Sequence, residues 1–423
     1  MQSDVRITDH TASAVADFLG EGAYTAPLIV SDPNTHRAAG RQLASSLSAL
    51  GVAVEEFVLE REKPAADAEA VGEILIGLVR TPDVVIGAGG GTLTDIARLV
   101  AHRMDRPFVS YPTAPSVDAY ASPTSAMTFR GVKKTVPARA PEVVFANTEV
   151  LSAAPHDMIA AGFGDMVAKL TSTPDWELAA VVAEEGFDQD IAARSLRAAE
   201  SCTAEVDLIR THEPAGVSTL LGGLIDSGDC MRDWGGSRPA SGSEHLLSHF
   251  WEMRAARAGK PSALHGGKVA VGTLVIAGLF ERLAGMGAAE LERRVAAARM
   301  PAASTLREAA VRGFGATSAD TLLQGHILAT MSEERFSEMA QTAAGAAERI
   351  IEIAASAPTP KRIRELMRRV GGPVHPRDID LSLDDVRDAL ASGHFIRNRF
   401  GLLVFWHLFS LGGLDDLVEE VFA

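Results

Sequence analysis

Asp83-Val84-Val85-Ile86-Gly87-Ala88-Gly89-Gly90-Gly91-Thr92-Leu93-Thr94-Asp95 is the stretch from which the fold is read. A β-rich apolar run, Asp83–Gly87, ends in a glycine cluster, and a helix is predicted over Leu93–Met104. A strand that feeds a helix through glycines is the βα unit of a parallel sheet. Glycines at that corner let backbone N–H groups approach an anion with no side chain in the way. The helix N-terminus adds partial positive charge. The spacing is neither Gly-x-Gly-x-x-Gly nor the Walker Gly-Lys-Ser/Thr pattern. A plain strand–helix corner is therefore the competing reading of the same residues.

The alternation continues on both sides. Strands are predicted at 26–31, 52–59, 107–111 and 142–147, and helices at 35–50 and 66–80. This predicts an α/β domain with a Rossmann-like parallel sheet over residues 1–152. From Leu151 onward apolar residues recur at helical spacing, which predicts an all-α domain over 153–423. Ligands of a parallel sheet bind beyond the carboxyl ends of its strands. Asp32 ends one strand, where a carboxylate can hydrogen-bond an adenosine ribose or serve the turn before Pro33. The loop 111–123 is stiffened by Pro112 and Pro115. Its Thr113, Ser116 and Ser122 can donate to a pyrophosphate or ribose, and Asp118 can hold a substrate hydroxyl; ordinary loop chemistry is the alternative. Lys133 and Lys134 follow on a hairpin or strand.

In the helical half, the loop before Ser243 and Glu244 opens a helix that carries His245 and His249 one turn apart. His265 precedes an apolar helix starting near Lys268. Histidines on two helix ends can meet a divalent cation, or can be interior histidines satisfied by hydrogen bonds. Gly162 and Gly164 are read as a tight turn that brings Asp165 to the head of a helix, as a cap or as a ligand. Asp165, His245 and His265 together would make an O,N,N set with room for a substrate oxygen. Arg238, among Ser237, Ser241 and Ser243, suits a phosphate, or a salt bridge to Glu244 or Asp233.

The 423 residues carry a net charge of −15, which argues against electrostatic binding of nucleic acid or an anionic membrane. Two cysteines, Cys202 and Cys230, follow no ligand spacing, as in a cytoplasmic protein. The opening residues Met1–Arg6 hold no apolar signal core. Val269–Phe280 is too short an apolar run to span a bilayer and reads as a buried helix.

Taken together these residues resemble the iron-containing alcohol dehydrogenase, glycerol dehydrogenase and dehydroquinate synthase superfamily. The marks are Gly-Gly-Gly-Thr-x-x-Asp at 89–95, Pro-Thr-x-x-Ser-x-Asp at 112–118, Gly-x-Gly-Asp at 162–165, and His245, His249 and His265. Within it the chain is similar to the sn-glycerol-1-phosphate dehydrogenase family, through Pro112–Ser122, Asp175-Trp176, Ser237–His245 and the tail Ile396–Phe400. The resemblance implies a dehydroquinate synthase-like fold and NAD or NADP at Gly89, Gly90, Gly91, Thr92 and Asp95, with Thr113, Ser116 and Ser122 on the nicotinamide side. It implies one divalent metal, zinc first, with nickel or iron as alternatives, on Asp165, His245 and His265. His249 and Asp118 would face the substrate, a phosphorylated triose, in a homodimer or higher homo-oligomer. The activity implied is interconversion of dihydroxyacetone phosphate and sn-glycerol 1-phosphate. A same-fold polyol or ketone dehydrogenase is the alternative. A dehydroquinate synthase would place glutamate where Asp165 stands, and a metal-free nucleotide sensor would not need the Asp/His/His set. Ala119 and Asn147 depart from the glycine and aspartate common at those places.

Overall fold

Among the described residues eight strands form, all before residue 147: β1 Asp4–Ile7, β2 Pro27–Ser31, β3 Glu55–Val58, β4 Val84–Gly89, β5 Phe108–Pro112, β6 Thr124–Phe129, β7 Val132–Pro137 and β8 Val143–Ala146. Six of them make one sheet in the order β1-β8-β5-β4-β2-β3, with every pairing parallel. β6 and β7 form a separate antiparallel hairpin that carries Lys133 and Lys134. The computed structural model describes residues 3–62, 64–129 and 132–423; the side chain of Lys133 lies outside that description, as do Met1 and Gln2.

The strands of the sheet centre are apolar along their whole length because helices cover both faces. β2, β4, β5 and β8 are buried at every residue. Side chains alternate between two cores. Val84, Ile86 and Ala88 of β4 meet Val15, Leu19, Leu43 and Leu47 on one face. Val85, with Leu28 and Val30 of β2, meets Leu93, Ile96 and Val100 on the other. The chain leaves β2 to one side for β3, then returns to the other side for β4. The sheet therefore reverses its order between β2 and β4, the place where such sheets bind ligands. Asp32 follows β2 and Gly90 follows β4, so both stand at that switch point.

The structure adds two elements at the N-terminus, the edge strand β1 and a helix over Thr11–Glu21. It starts the second helix at Pro33, where Asp32 caps it: Asp32 Oδ1 accepts from the N–H groups of Asn34 and Thr35. Downstream of β8 every element is helical.

Compactness divides the chain as Met1–Met166 with Glu200–Gly235, and Val167–Ala199 with Gly236–Ala423. Texture and compactness thus change at different points, because the long helix Pro214–Trp234 packs with the α/β unit although it lies far along the chain. In the second unit, the helices Ser243–Arg257 and His265–Met286 carry the histidines. A Cβ at Gly272 would lie 2.7 Å from the carbonyl oxygen of Glu244, so glycine lets the two helices touch beside His245. Val269–Phe280 is buried throughout, as its apolar run predicts. Among the described residues His265–Met286 is the one helix long and apolar enough to cross a membrane, and 72% of that window is buried inside the protein.

Candidate functional site

In the α/β unit the glycine loop has three distinct parts. A Cβ at Gly89 would sit 2.5 Å from the Leu93 Cβ, and one at Gly91 would sit 2.6 Å from Val117. Those two glycines are demanded by packing within the protein. At Gly90 the nearest atoms are the end of the Met158 side chain at 3.2 Å and Ser116 Oγ at 3.7 Å. Gly90 also has an ordinary negative φ of −76°. Its backbone conformation does not require glycine, the one tight contact a Cβ would make is with the flexible end of Met158, and the opening it leaves suits the approach of a ligand. The helix Gly91–Arg103 begins at this point with Gly90 as its N-cap and no side-chain cap. Its first N–H groups are therefore left to an anion.

The same helix carries a buried cation that the sequence does not advertise. Arg98 is 0% exposed. It donates to the carbonyls of Thr124 (2.7 Å), Tyr120 (3.0 Å) and Ala119, and to Asp95 Oδ1 (3.3 Å). Burial pushes its guanidinium down to about 10. Arg98 thereby staples the 119–124 loop to the helix behind the glycines, and Asp95 is tied to that staple. Ser116 Oγ lies 3.1 Å from the hydroxyl of Tyr120, and Ser122 Oγ accepts from the Thr124 N–H at 3.1 Å. Thr113, Ser116 and Ser122 are all buried.

Asp165 requires a correction. It does not head a helix: it lies in the last turn of His156–Val167, and Gly162 is helical too. Glycine is needed at 162 because a Cβ there would stand 1.8 Å from the carbonyl oxygen of Pro115. The helix rides directly on the 112–118 loop, and this brings two expected residues together. The N–H of Asp118 donates to Asp165 Oδ2 at 3.0 Å, while Asp118 Oδ2 accepts from Ser227 Oγ at 2.9 Å. Asp165 is fully buried.

In the helical unit His245, His249 and His265 each meet a carboxylate. His245 Nδ1 lies 2.8 Å from Glu244 Oε1, His265 Nδ1 lies 2.8 Å from Glu252 Oε1, and His249 Nδ1 lies 3.1 Å from Glu252 Oε2. A carboxylate only accepts, so each Nδ1 carries a proton, and in the neutral ring Nε2 keeps its lone pair. That is the tautomer a metal-binding imidazole needs, oriented by its partner. The His245 and His265 rings are 5.4 Å apart. Glu244 is buried and also accepts from the Gly242 N–H at 2.6 Å and from Thr171 Oγ1 at 3.2 Å. Burial pushes its carboxyl up, but its hydrogen bonds, that from His245 first, prevail and hold it below the ordinary range. Gly242 permits this, since a Cβ there would meet Glu244 Oε2 at 2.8 Å. Asp175 fixes the head of the histidine helix from the other side: its Oδ1 accepts from Ser243 Oγ at 2.6 Å and from the Leu402 N–H at 2.7 Å. Arg238 is buried and pairs with Glu185, not with Glu244 or Asp233.

Sequence reasoning singled out neither Glu252 nor Arg98, and gave no site role to Glu244 or to the arginines of the tail. Glu252 stands three residues after His249, a spacing that puts both on one helix face and could have found it. Arg98 offered no such sign.

Residues 6–155 match the model of the iron-containing alcohol dehydrogenase family. The fold is similar to a probable glycerol dehydrogenase from Sinorhizobium meliloti 1021, with a TM-score of 0.63 at 14% identity over 99% of this chain and 96% of that one. It is also similar to the NADH-dependent butanol dehydrogenase A from Thermotoga maritima, with a TM-score of 0.61 at 13% identity over 99% and 96% of the two chains. The family model thus covers the parallel sheet and the glycine loop, and the chain as a whole shares the fold of these dehydrogenases. In sequence the chain is 34% identical over 402 residues, 94% of its own length and 90% of the relative's, to a glycerol-1-phosphate dehydrogenase [NAD(P)+] of Geobacillus thermodenitrificans. A protein of the same name from Halalkalibacterium halodurans is 30% identical over 95% of this chain and 91% of the relative. The chain belongs to the glycerol-1-phosphate dehydrogenase family.

Proposed function

We propose that the chain is an NAD(P)-dependent oxidoreductase that interconverts dihydroxyacetone phosphate and sn-glycerol 1-phosphate. The observation that carries this reading is the likeness, over nearly the whole chain, to enzymes of that name. The local chemistry is what the activity needs. The pyrophosphate of NAD or NADP is assigned to the uncapped helix N-terminus at Gly89, Gly90, Gly91 and Thr92, with Asp95 behind it and Asp32 toward the ribose. Thr113, Ser116 and Ser122 are assigned to the nicotinamide side.

A divalent metal, zinc before nickel or iron, is assigned to Asp165, His245 and His265. The donor set fits: two imidazoles with Nδ1 committed to carboxylates offer Nε2, and a buried aspartate supplies the anion. The chemistry supplied by these bound groups is polarisation of a ketone oxygen and hydride exchange at the carbon. The chain's own residues position and neutralise. Asp118, braced by Ser227 through one carboxylate oxygen, is assigned to a substrate hydroxyl. His249 keeps Nε2 as an acceptor and is assigned to the passage of the proton that the new hydroxyl requires. We place the enzyme in the cytoplasm as a homo-oligomer.

The test is a panel of dihydroxyacetone phosphate, dihydroxyacetone and glycerol, each assayed with NADH or NADPH (oxidised forms for glycerol) after metal loading. The reading expects dihydroxyacetone phosphate to have the highest kcat/KM. Glycerol or an unphosphorylated ketone as the best substrate would replace it with a polyol dehydrogenase.

A further inference from the structure

Three guanidiniums gather beside His249 in the helical unit. Arg397 donates to Ser237 Oγ at 2.6 Å, and its Nη2 lies 3.3 Å from His249 Nε2. Arg399 donates to the carbonyl and hydroxyl of Ser241 and, at 3.3 Å, to Ser237 Oγ. Arg238 gives Nη2 to Glu185, while its buried Nη1 has no hydrogen-bond partner among the described residues and stands 4.0 Å from Asp175 Oδ2. Among the described residues, neither Arg397 nor Arg399 forms an ion pair with a carboxylate. Burial first, and then the neighbouring guanidiniums, hold both below the ordinary arginine value.

Like charges crowded out of water repel unless an anion joins them. Glu185 pairs with Arg238, and Asp175, Glu244 and Glu252 offset part of the remaining charge, yet Arg397 and Arg399 have no ion-pair partner among the described residues and the Nη1 of Arg238 has no hydrogen-bond partner there. A phosphate offers several acceptor oxygens and up to two negative charges, and the guanidinium fork matches its geometry. The location is selective as well. His249 bridges from Arg397 to Glu252, and Glu252 holds His265, with the His249 and His265 rings 5.5 Å apart. An anion at Arg397 thus lies one imidazole away from His265, a separation that a three-carbon substrate can span.

We propose that Arg397, with Ser237 Oγ and the Nη1 of Arg238, forms the subsite that holds the substrate's phosphate. This rests on the dehydrogenase reading above and names the residues that make it prefer a phosphorylated ketone. It moves the principal contact from Arg238, which the sequence singled out and which is partly committed to Glu185, to Arg397 on the C-terminal tail. Arg399 secures Ser241 and Ser237 and adds charge.

The experiment compares the wild type with Arg397→Met and Arg397→Lys. It reads the ratio of kcat/KM for dihydroxyacetone phosphate to that for dihydroxyacetone, and separately the rise in melting temperature caused by millimolar inorganic phosphate. The expectation is that Arg397→Met lowers the ratio about 10- to 100-fold, the loss of one or two charge-assisted contacts. Arg397→Lys, which keeps the charge and loses the fork, falls between the two. Phosphate should stabilise the wild type and fail to stabilise Arg397→Met. If the wild type prefers the phosphorylated ketone but Arg397→Met damages both substrates equally and still responds to phosphate, the subsite is elsewhere and the dehydrogenase reading stands. If the wild type shows no preference but phosphate stabilises it only through Arg397, the anion site stands and the substrate reading fails. Should Arg397→Met not fold, the phosphate response of Arg397→Lys decides: a response equal to that of the wild type, with an unchanged substrate ratio, overturns the proposal.

Discussion

Glu252 Oε1 accepts from His265 Nδ1 at 2.8 Å, and this fixes which nitrogen His265 can offer to a cation. The same carboxylate accepts from His249 through Oε2 and lies 3.3 Å from Lys268 Nζ through Oε1. Glu252→Gln keeps the volume and removes the charge. Metal affinity, measured by chelator competition, should fall about 10- to 100-fold, the usual effect of losing such a partner. Unchanged affinity would mean that His265 is not a ligand.

Gly90 and Gly89 separate cofactor binding from packing. Gly90→Val should fold, with little change in melting temperature, and lose NAD(P) affinity measured by calorimetry, because its side chain enters the opening beside Ser116. Gly89→Val should destabilise the protein by about 1–3 kcal/mol, since its Cβ collides with Leu93 inside the core. A folded Gly90→Val protein with unchanged cofactor affinity would remove the loop from the cofactor site.

The contrast between these glycines shows what the sequence could carry. The βα unit at 83–95 was legible because parallel strands are apolar on both faces and end in turn residues. β1 was not, because four residues with Asp4 and Arg6 among them make a weak apolar pattern. Asp165 was legible as a residue of interest but misread in its setting. A glycine pair marks a turn or a close approach equally well, and only the carbonyl of Pro115 decides between them. Glu244 and Arg397 act through contacts that carry no spacing signal; Arg397 is 148 residues from His249.

Arg98 tests the loop that faces the cofactor. Arg98→Met leaves the carbonyls of Ala119, Tyr120 and Thr124 without their donor. Denaturant unfolding should show a loss of about 2–4 kcal/mol, and cofactor affinity should fall with it. Full stability would show that the staple is dispensable.

Stability should fall on the acid side of neutrality. His326, His394 and His407 all have their values lowered, by burial first, and neither ring nitrogen of His394 has a hydrogen-bond partner among the described residues. Below about 6.5 the unfolded chain binds protons on these rings while the folded chain does not, so unfolding becomes easier as pH drops, by up to about 1.4 kcal/mol per pH unit for each ring. Denaturation midpoints taken downward from about pH 7.5 should show this slope, and His394→Phe should flatten it. An equally steep slope in folded His394→Phe would assign it to other groups.

The most direct test of the account is the handedness of the product. Purified, metal-loaded protein is given dihydroxyacetone phosphate and NADH or NADPH, and the glycerol phosphate formed is offered to a dehydrogenase specific for sn-glycerol 3-phosphate. The account predicts rapid nucleotide oxidation in the first step and a product that the second enzyme leaves untouched, which marks it as sn-glycerol 1-phosphate. A product consumed in full by the second enzyme, or no nucleotide oxidation with this ketone, would contradict it.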